Sequence, residues 1–261
     1  MNTTVHKLCA SCGLAFLVLM AIGFAGLAHF VPLPSPHDSA TEVAKMYRDR
    51  PTQIRFGLII SMAASALLMP FSVAMFRQMK RCEGPKPALA YVQLGLGAIL
   101  VLEFIYLIFF WQTATFRADR SPEVIQALND MGWIPFVGLS STLIMQTFVF
   151  GVAMLLDRRA VPVFPRWLGY YNIWAALMFT PGSFNVFFKT GPLAWNGLVG
   201  IYIPGAVFLT WLVLNTVYLL RAIDSEAAED AALPAAPDLA AMAAEIAQLR
   251  RDLDRLPAGA A

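Results

Sequence analysis

Six long runs of apolar residues, separated by short polar segments, make up most of the chain. Each run is long enough for a helix to cross a bilayer, because ~20 apolar residues span a ~30 Å hydrocarbon core. Only helices or closed barrels satisfy the backbone in lipid, and these runs are too long and too uniformly apolar for barrel strands. The pattern predicts an all-α membrane protein, a bundle of six transmembrane helices arranged as three hairpins. The predicted spans are residues 8–31, 56–76, 88–115, 133–156, 167–188 and 197–220.

The composition fits a protein surrounded by membrane lipid. Of 261 residues, 58% are hydrophobic and 14% are charged, and the mean hydropathy is +0.62. Soluble domains have about 25% charged residues. The first run is too long for the apolar core of a signal peptide, so we expect it to be retained as a span. The net charge of +2 and the absence of a basic stripe argue against a nucleic-acid partner.

The composition changes after the last apolar run, which predicts three segments: a transmembrane domain (1–221), an Ala/Pro/acid-rich linker (222–237) and a coiled-coil helix (238–257). The last segment has apolar residues at alternating intervals of three and four, a heptad seam typical of a parallel coiled coil. Such a short seam is marginal alone, so we expect it to support a homo-oligomer. The alternative is an amphipathic helix lying on the membrane. The seam consists of Leu239, Met242, Ile246, Leu249, Leu253 and Leu256.

The distribution of basic residues predicts the orientation. If six spans alternate, nine Lys and Arg residues fall on the side of the N-terminus, largely in the short loops 77–87 and 157–166. The opposite loops carry seven, mixed with acidic residues. Because Lys and Arg concentrate in cytoplasmic loops, we expect both termini to be cytoplasmic and the membrane to be a bacterial inner membrane.

A carboxyl group lies in the middle of the third run, in the sequence VLEFIYLIFFW (101–111). An ionised Glu103 at this depth would cost ~2.5 kcal/mol or more, and no Lys or Arg lies at the same depth. We therefore expect Glu103 to be protonated or to reach water. Such residues usually face a protein interior or an aqueous cavity, which makes Glu103 the leading candidate for a functional residue.

Polar groups on other spans are predicted at a similar depth. The fifth run is interrupted by Thr-Pro-Gly-Ser (180–183), and a broken helix beside an intramembrane acid is a common way to build a small-ligand or proton site. The alternative is structural: a protonated Glu hydrogen-bonded to a hydroxyl group, and a proline kink that binds nothing. The predicted ligand or proton site consists of Glu103, Tyr106, Ser140, Ser141, Thr142, Thr180, Ser183, Asn185 and Tyr202.

Three functions are compatible with these features. The first is transport or permeation of a small solute or ion through the site at Glu103. The second is an intramembrane isomerase or cyclase that uses Glu103 as the acid on a lipophilic substrate. The third is a non-catalytic accessory or scaffold subunit. No nucleotide, zinc-protease or serine-hydrolase motif occurs, and no His lies in the interior of a predicted span, since His29 is at the very end of the first one, so no cofactor is expected and catalysis stays uncertain.

One group of residues offers metal-binding chemistry. Cys9 and Cys12 form a C-x-x-C motif, with His6 one turn earlier and Cys82 in the first loop on the same side. Three thiols and an imidazole could bind zinc tetrahedrally. With a single C-x-x-C we favour the alternative, in which the cysteines are small helix-packing residues and no metal binds.

Two short motifs resemble known sequences. The stretch TGPLAWNG (190–197), together with ALND (127–130), is similar to segments of uncharacterised bacterial multi-span integral membrane proteins. The resemblance covers only these patches. It implies a bacterial inner-membrane protein and brings no established activity.

Overall fold

A computed structural model of the chain describes residues 2–138, 141–232 and 239–254, and within the last range only the side chains of 242, 243 and 246–251. All regular secondary structure in these ranges is helical. Three segments depart from α-helical geometry: a first π segment (Ala21–Leu27), a 3₁₀ segment (Thr180–Phe187) and a second π segment (Leu198–Tyr202). The α-helices are α1 (Thr3–Met20), α2 (Ala40–Asp49), α3 (Pro51–Ser65), α4 (Leu68–Glu83), α5 (Ala88–Phe116), α6 (Pro122–Gly138), α7 (Ser141–Leu156), α8 (Arg166–Phe179), α9 (Ile203–Ala232) and α10 (Leu239–Asp254).

The chain is an integral membrane protein. Within the described residues, five helical stretches are long and apolar enough to cross a membrane, and they coincide with five of the six predicted runs. The remaining run, 167–188, forms the 14 residues of α8 and then the 3₁₀ segment, which begins at the Thr-Pro-Gly-Ser sequence. The five stretches are Thr3–Leu27, Pro51–Glu83, Ala88–Phe116, Pro122–Leu156 and Leu198–Ala232.

One end of the bundle, which we call the basic end, holds the start of α1 and the α4–α5 and α7–α8 connections. Lys7 Nζ lies 2.5 Å from a carboxylate oxygen of Asp224 on α9. The guanidinium group of Arg81 donates to the carbonyl oxygen of Ala222 at 3.0 Å. At the α7–α8 side, the Trp167 ring packs on the edge of Tyr218. The N-terminus of α1 and residues 218–224 of α9 therefore lie at the same end.

The opposite end, which we call the capped end, is covered by α2 and by the connections around it. Ser39 and Glu42 form a capping box at the start of α2, and the hydrogen bonds from Ser39 lower the pKa of the Glu42 carboxyl group. Gln126 of α6 donates to the carbonyl oxygen of Asp38 at 3.1 Å, and Arg48 of α2 donates to that of Arg120 at 2.7 Å. These contacts fix α2 against α6.

Two clusters of buried side chains form the core. The larger lies toward the basic end and includes Phe71, Trp211 and Leu212. The smaller lies under the cap and contains the fully buried indoles of Trp111 and Trp133. Between the two clusters, α3 and the first π segment meet backbone to backbone. A Cβ atom at Gly23 would lie 2.5 Å from the carbonyl oxygen of Gly57, so this contact excludes side chains at that position.

The chain divides into two compact units, Met1–Ser225 and Glu226–Ala261. In the second unit α9 remains helical to Ala232, within the segment expected to be a linker, and α10 covers most of the predicted coiled-coil segment. The seam residues Met242, Ile246 and Leu249 are 43%, 58% and 58% exposed. Leu256 and the side chains of Leu239 and Leu253 lie outside the described residues.

Candidate functional site

Glu103 lies in the middle of α5 and contacts α7. The hydroxyl group of Thr142 donates to Glu103 Oε2 at 2.5 Å. A hydrogen bond to a charged or polar partner on a neighbouring helix is the usual way in which an acid is accommodated within a membrane. The pair joins the two helices at the depth predicted from the sequence.

The Glu103 carboxyl group is half-buried and lies at the edge of the surface that α5 presents to lipid. Its neighbours along the helix, Ile99, Leu102 and Tyr106, are 47%, 64% and 65% exposed. Tyr106 packs on the ring of Phe110. Glu103 thus has protein on the side of α7 and the bilayer on the other side.

The polar residues of the 3₁₀ segment contact α6 and α8 instead of Glu103. Ser183 donates to the carbonyl oxygen of Gly138 at 3.2 Å, and Asn185 Nδ2 donates to that of Ile134 at 3.0 Å. Thr180 donates to the carbonyl oxygen of Ala176, one turn earlier in α8. The two acceptors, Ile134 and Gly138, lie one turn apart on α6, so the 3₁₀ segment packs along one face of that helix.

The other predicted site residues are separated. Ser141 is exposed at the start of α7, and Ser140 lies outside the described residues. Tyr202 ends the second π segment and borders a cavity that Glu103 does not line. The structure therefore brings Glu103 and Thr142 together, whereas Thr180, Ser183 and Asn185 contact α6 and α8, and Tyr202 borders the cavity.

A cavity of about 500 Å³ lies between α1 and α9, in the half of the bundle nearer the capped end. Its floor is formed by aromatic rings: Phe16 lies 5.5 Å from Phe104 and 6.2 Å from Phe208, centroid to centroid. Of the described lining residues, Tyr202 alone carries a hydroxyl group. The remaining lining residues are apolar: Leu17, Met20, Ala21, Phe24, Ala25, Val31, Leu33, Phe136, Val137, Leu143, Phe179, Gly200, Ile201, Pro204, Gly205, Ala206 and Leu209.

The cavity opens sideways between α1 and α9. Lining residues Ala21 on one side and Ala206 and Leu209 on the other are exposed, so the rim faces the lipid. The two helices meet at the basic end, where the hydroxyl group of Thr216 lies 2.9 Å from the position of a Cβ atom at Gly13. The space between the helices widens from there toward the capped end.

Both π segments contribute to the cavity wall. Phe24 comes from the first and Gly200 and Ile201 come from the second. Short π-helical stretches carry a cost in regular hydrogen bonding and occur frequently at functional sites. A π-helical stretch widens the helix locally, and the two π segments lie on opposite sides of the cavity opening between α1 and α9.

Below the cavity, a polar clamp of Asn172, Trp211 and Asn215 joins α8 to α9. The Trp211 indole donates to Asn172 Oδ1 at 2.7 Å, and Asn172 Nδ2 donates to Asn215 Oδ1 at 3.2 Å. Asn172 and Asn215 each donate to a backbone carbonyl oxygen one turn earlier in their own helix, at 2.8 Å. All three side chains are buried and their contacts hold α9 against α8.

The two motifs that resemble known sequences meet at the capped end. Trp195 of TGPLAWNG is buried and its indole donates to the carbonyl oxygen of Pro34 at 2.8 Å. Asn129 of ALND accepts a hydrogen bond from the Tyr47 hydroxyl group at 3.0 Å. Burial, with the nearby Asp130 carboxylate as a smaller contribution, raises the pKa of Tyr47 well above its usual range, so the phenol stays a donor at physiological pH. The motifs serve to hold the cap.

The three cysteines are free thiols, with Cys82 buried and Cys9 and Cys12 half-buried. Within the described part of the chain, no three His, Cys, Asp or Glu residues are grouped closely enough to hold a metal ion. The structure offers no geometry for the predicted weak site at His6, Cys9, Cys12 and Cys82.

The sequence did not indicate the cavity. The only signals were small residues close together in the sixth run, Gly200 and Gly205, and aromatic residues at helical spacing, which are equally typical of a packed core. A cavity depends on the distance between two helices that are far apart in sequence, and residue types alone do not determine that distance.

Comparison with known proteins identifies a family to which the chain is similar. Neither a curated protein nor a solved structure matches the chain. A family described as a domain of unknown function (DUF4386) matches residues 12–221, which include the cavity, the clamp, Glu103 and the cap. The earlier resemblance to uncharacterised membrane proteins is thereby confirmed, and the chain belongs to the DUF4386 family.

Proposed function

We propose that the protein binds a lipophilic molecule, taken up sideways from the bilayer, in the cavity between α1 and α9. The observation that carries the proposal is the cavity itself: about 500 Å³, apolar, and open toward lipid. Pockets for small molecules have volumes of roughly 300–1,000 Å³ and are lined mainly by apolar and aromatic side chains with a few polar groups. Tyr202 is the polar group at the rim, suited to a hydrogen bond with a hydroxyl or carbonyl group on the ligand.

We further propose six membrane crossings, with α8 and the 3₁₀ segment as the fifth. Continuous axes would give this pair a length of about 37 Å, more than the hydrocarbon thickness. The Lys7–Asp224 ion pair supports an even number of crossings, because α1 begins where α9 leaves the bundle. The basic end then faces the cytoplasm of a bacterial cell, and both termini of the chain are cytoplasmic.

Transport of the ligand is the function that we favour. Phe104 and Leu143 line the cavity, and their immediate neighbours Glu103 and Thr142 form the hydrogen-bonded pair behind that wall. Protonation of Glu103 can therefore alter the α5–α7 contact beside the ligand. The enzyme alternative needs an acid that touches the substrate, and Glu103 is not among the cavity-lining residues, which favours transport.

The exposed seam on α10 supports a homo-oligomer as the functional form. Met242, Ile246 and Leu249 are all exposed in the single chain, and a parallel coiled coil of two or more chains would bury them. A scaffold role, in which α10 recruits another protein, uses the same seam.

Filling the cavity tests the proposal. A Cβ atom at Gly205 would meet no atom within 4 Å, so Gly205→Leu adds its side chain to open space in the cavity. Gly95 of α5 is the matched control, because its Cβ position is equally open and the residue lies outside the cavity. Both changes remove a helix-destabilising glycine, worth up to ~1 kcal/mol, so neither should harm folding.

The probe is a fatty acid carrying a photoreactive diazirine group, added to protein in lipid vesicles. We expect labelling of peptides from α1 and α9 in the wild type and in the control variant Gly95→Leu. In Gly205→Leu the labelling of these peptides should fall at least fivefold. Equal labelling of both variants, or labelling restricted to the outer surface of α5, would overturn the proposal.

A further inference from the structure

The interface of α4, α5 and α7 contains polar side chains at a depth where the surroundings are apolar. Ser72, Gln93 and Gln146 come from three different helices and are 2%, 0% and 1% exposed. Gln146 Nε2 lies 3.2 Å from Ser72 Oγ, and Gln93 Nε2 lies 3.7 Å from the sulfur of Met75. No lipid-facing or surface role explains these residues, because all three are enclosed by protein.

Two amide oxygen atoms in this interface have no protein partner. Gln93 Oε1 and Gln146 Oε1 are buried and accept no hydrogen bond from the described residues. Exchanging the amide oxygen and nitrogen of Gln146 would pair its oxygen with Ser72 but leave its N–H groups unpaired. Because unpaired buried polar groups are unfavourable and membrane interiors offer no compensation, these oxygens require a hydrogen-bond donor.

These side chains form a continuous series between the basic end and Glu103. At the basic end the Glu83 carboxylate accepts from the N–H groups of Leu89 and Ala90, at 2.8 and 2.7 Å. Gln93 is one turn further along α5. Ser72 Oγ and Gln146 Nε2 then meet α5 at Gly97, where a Cβ atom would collide with both.

The series ends at the intramembrane acid. Gln146 lies one turn from Thr142 on α7, and Thr142 donates to Glu103. Helical rise places Gln93 about 15 Å from Glu103 along α5. Each gap between successive polar groups is one to two turns, which one to three hydrogen-bonded water molecules bridge at ~2.8 Å per step.

We propose that a file of buried water molecules occupies the α4–α5–α7 interface and connects Glu103 to the aqueous phase at the basic end. The amide oxygens of Gln93 and Gln146 accept hydrogen bonds from these waters. A hydronium ion at the basic end transfers a proton to the first water, each water passes one proton on, and the Glu103 carboxylate becomes a neutral carboxyl group. One proton is taken from the aqueous phase, and nothing is oxidised or reduced.

Glu103 is the group that titrates at this depth. Apart from Tyr106 on its own helix, the described titratable side chains of the elements packed against α5 lie toward the two ends of the bundle. They are Glu42, Lys45, Tyr47, Arg48, Asp49, Arg55, Glu123 and Asp130 toward the capped end, and Arg77, Lys80, Arg81, Cys82 and Glu83 toward the basic end, where Tyr91 of α5 also lies. Described residues of α7 include none.

The inference rests on Glu103 as the proton site of the proposed function and is independent of the ligand cavity. The test measures protonation of Glu103 directly, with dicyclohexylcarbodiimide, which reacts with protonated carboxyl groups and enters from the lipid. Modification of Glu103 is quantified by mass spectrometry after a pH drop on one side of the vesicle. The side of the basic end is read from labelling of a cysteine introduced by Ala160→Cys.

In the wild type we expect modification to rise at least tenfold when the pH drops at the basic end and less than twofold when it drops at the capped end. Gln146→Leu should abolish the response within the first minutes, and Gln146→Asn, which keeps an amide, should retain it. Thr147→Val is the control. In the part of the chain that the structure describes, its buried hydroxyl group also has no hydrogen-bond partner, but Thr147 lies one turn from Gly151, which packs on α8.

A response to pH at the capped end, or equal responses in Gln146→Leu and Thr147→Val, would overturn the water file. The wild-type comparison of the two sides decides the matter even if Gln146→Leu does not fold. Photolabelling of the cavity is a separate measurement. If the cavity is not photolabelled but Glu103 modification still responds to pH at the basic end, the proposed ligand is contradicted and the proposed water file is not.

Discussion

Removing the polar clamp between α8 and α9 should lower the stability of the bundle by ~2–6 kcal/mol. Asn172→Ala deletes the acceptor of the Trp211 indole and the donor to Asn215. Hydrogen bonds between membrane helices contribute on average ~0.6 kcal/mol and at most ~1.7 kcal/mol each, which gives ~1–3 kcal/mol for the pair. The Trp211 N–H, which is buried, is then left without an acceptor, and this adds ~1–3 kcal/mol.

The assay is equilibrium unfolding in mixed micelles with increasing dodecyl sulfate, followed by circular dichroism. Thr216→Val is the matched control, because the buried Thr216 hydroxyl group has no hydrogen-bond partner among the described residues. This change should alter stability by less than ~0.5 kcal/mol. In a Trp211→Phe background the cost of Asn172→Ala should shrink, since no indole remains to be left unpaired.

The reasoning fails if Asn172→Ala costs less than ~0.5 kcal/mol. It also fails if the cost is the same in both backgrounds, since the clamp would then not depend on the Asn172–Trp211 bond.

Two further predictions concern topology and assembly. In a background without native cysteines, Ala118→Cys should react with an impermeant maleimide from outside the cell and Ala160→Cys should not. These exposed positions lie at opposite ends of the bundle. The reverse labelling pattern would refute the proposed orientation. The double variant Ile246→Asp/Leu249→Asp should have the mass of one chain in mild detergent, because it places charges in the coiled-coil seam. A wild-type protein that is already monomeric in mild detergent would rule out the seam as an interface.

The sequence was sufficient for the elements that depend on residue type along one helix. Uncharged length predicted the spans, and the Pro181–Gly182 pair predicted the break in the fifth run at the place where the 3₁₀ segment begins. Each of these depends on local backbone chemistry.

The site depended on information that a single sequence lacks. Depth in the membrane grouped Glu103 with Thr142, Ser183 and Asn185, but depth does not specify which way a side chain points around its helix. Ser183 and Asn185 contact the backbone carbonyl groups of Gly138 and Ile134 in α6. The cavity was not predicted, because it arises from the separation of α1 and α9 and not from any residue in them.

The backbone contact between Gly23 and Gly57 makes the α1 side of the cavity more rigid than the α9 side. Two backbones in direct contact can neither approach each other nor slide without collision. The α1 side of the cavity opening is therefore held rigidly against α3. On the opposite side of the opening, α9 is attached through large side chains and through the polar clamp to α8. The close contact of α9 with α1 near Thr216, toward the basic end, is the point about which α9 can turn. Under the proposed function, a ligand larger than the cavity requires α9 to move outward, and the strength of the polar clamp then limits the size of ligand that the protein binds.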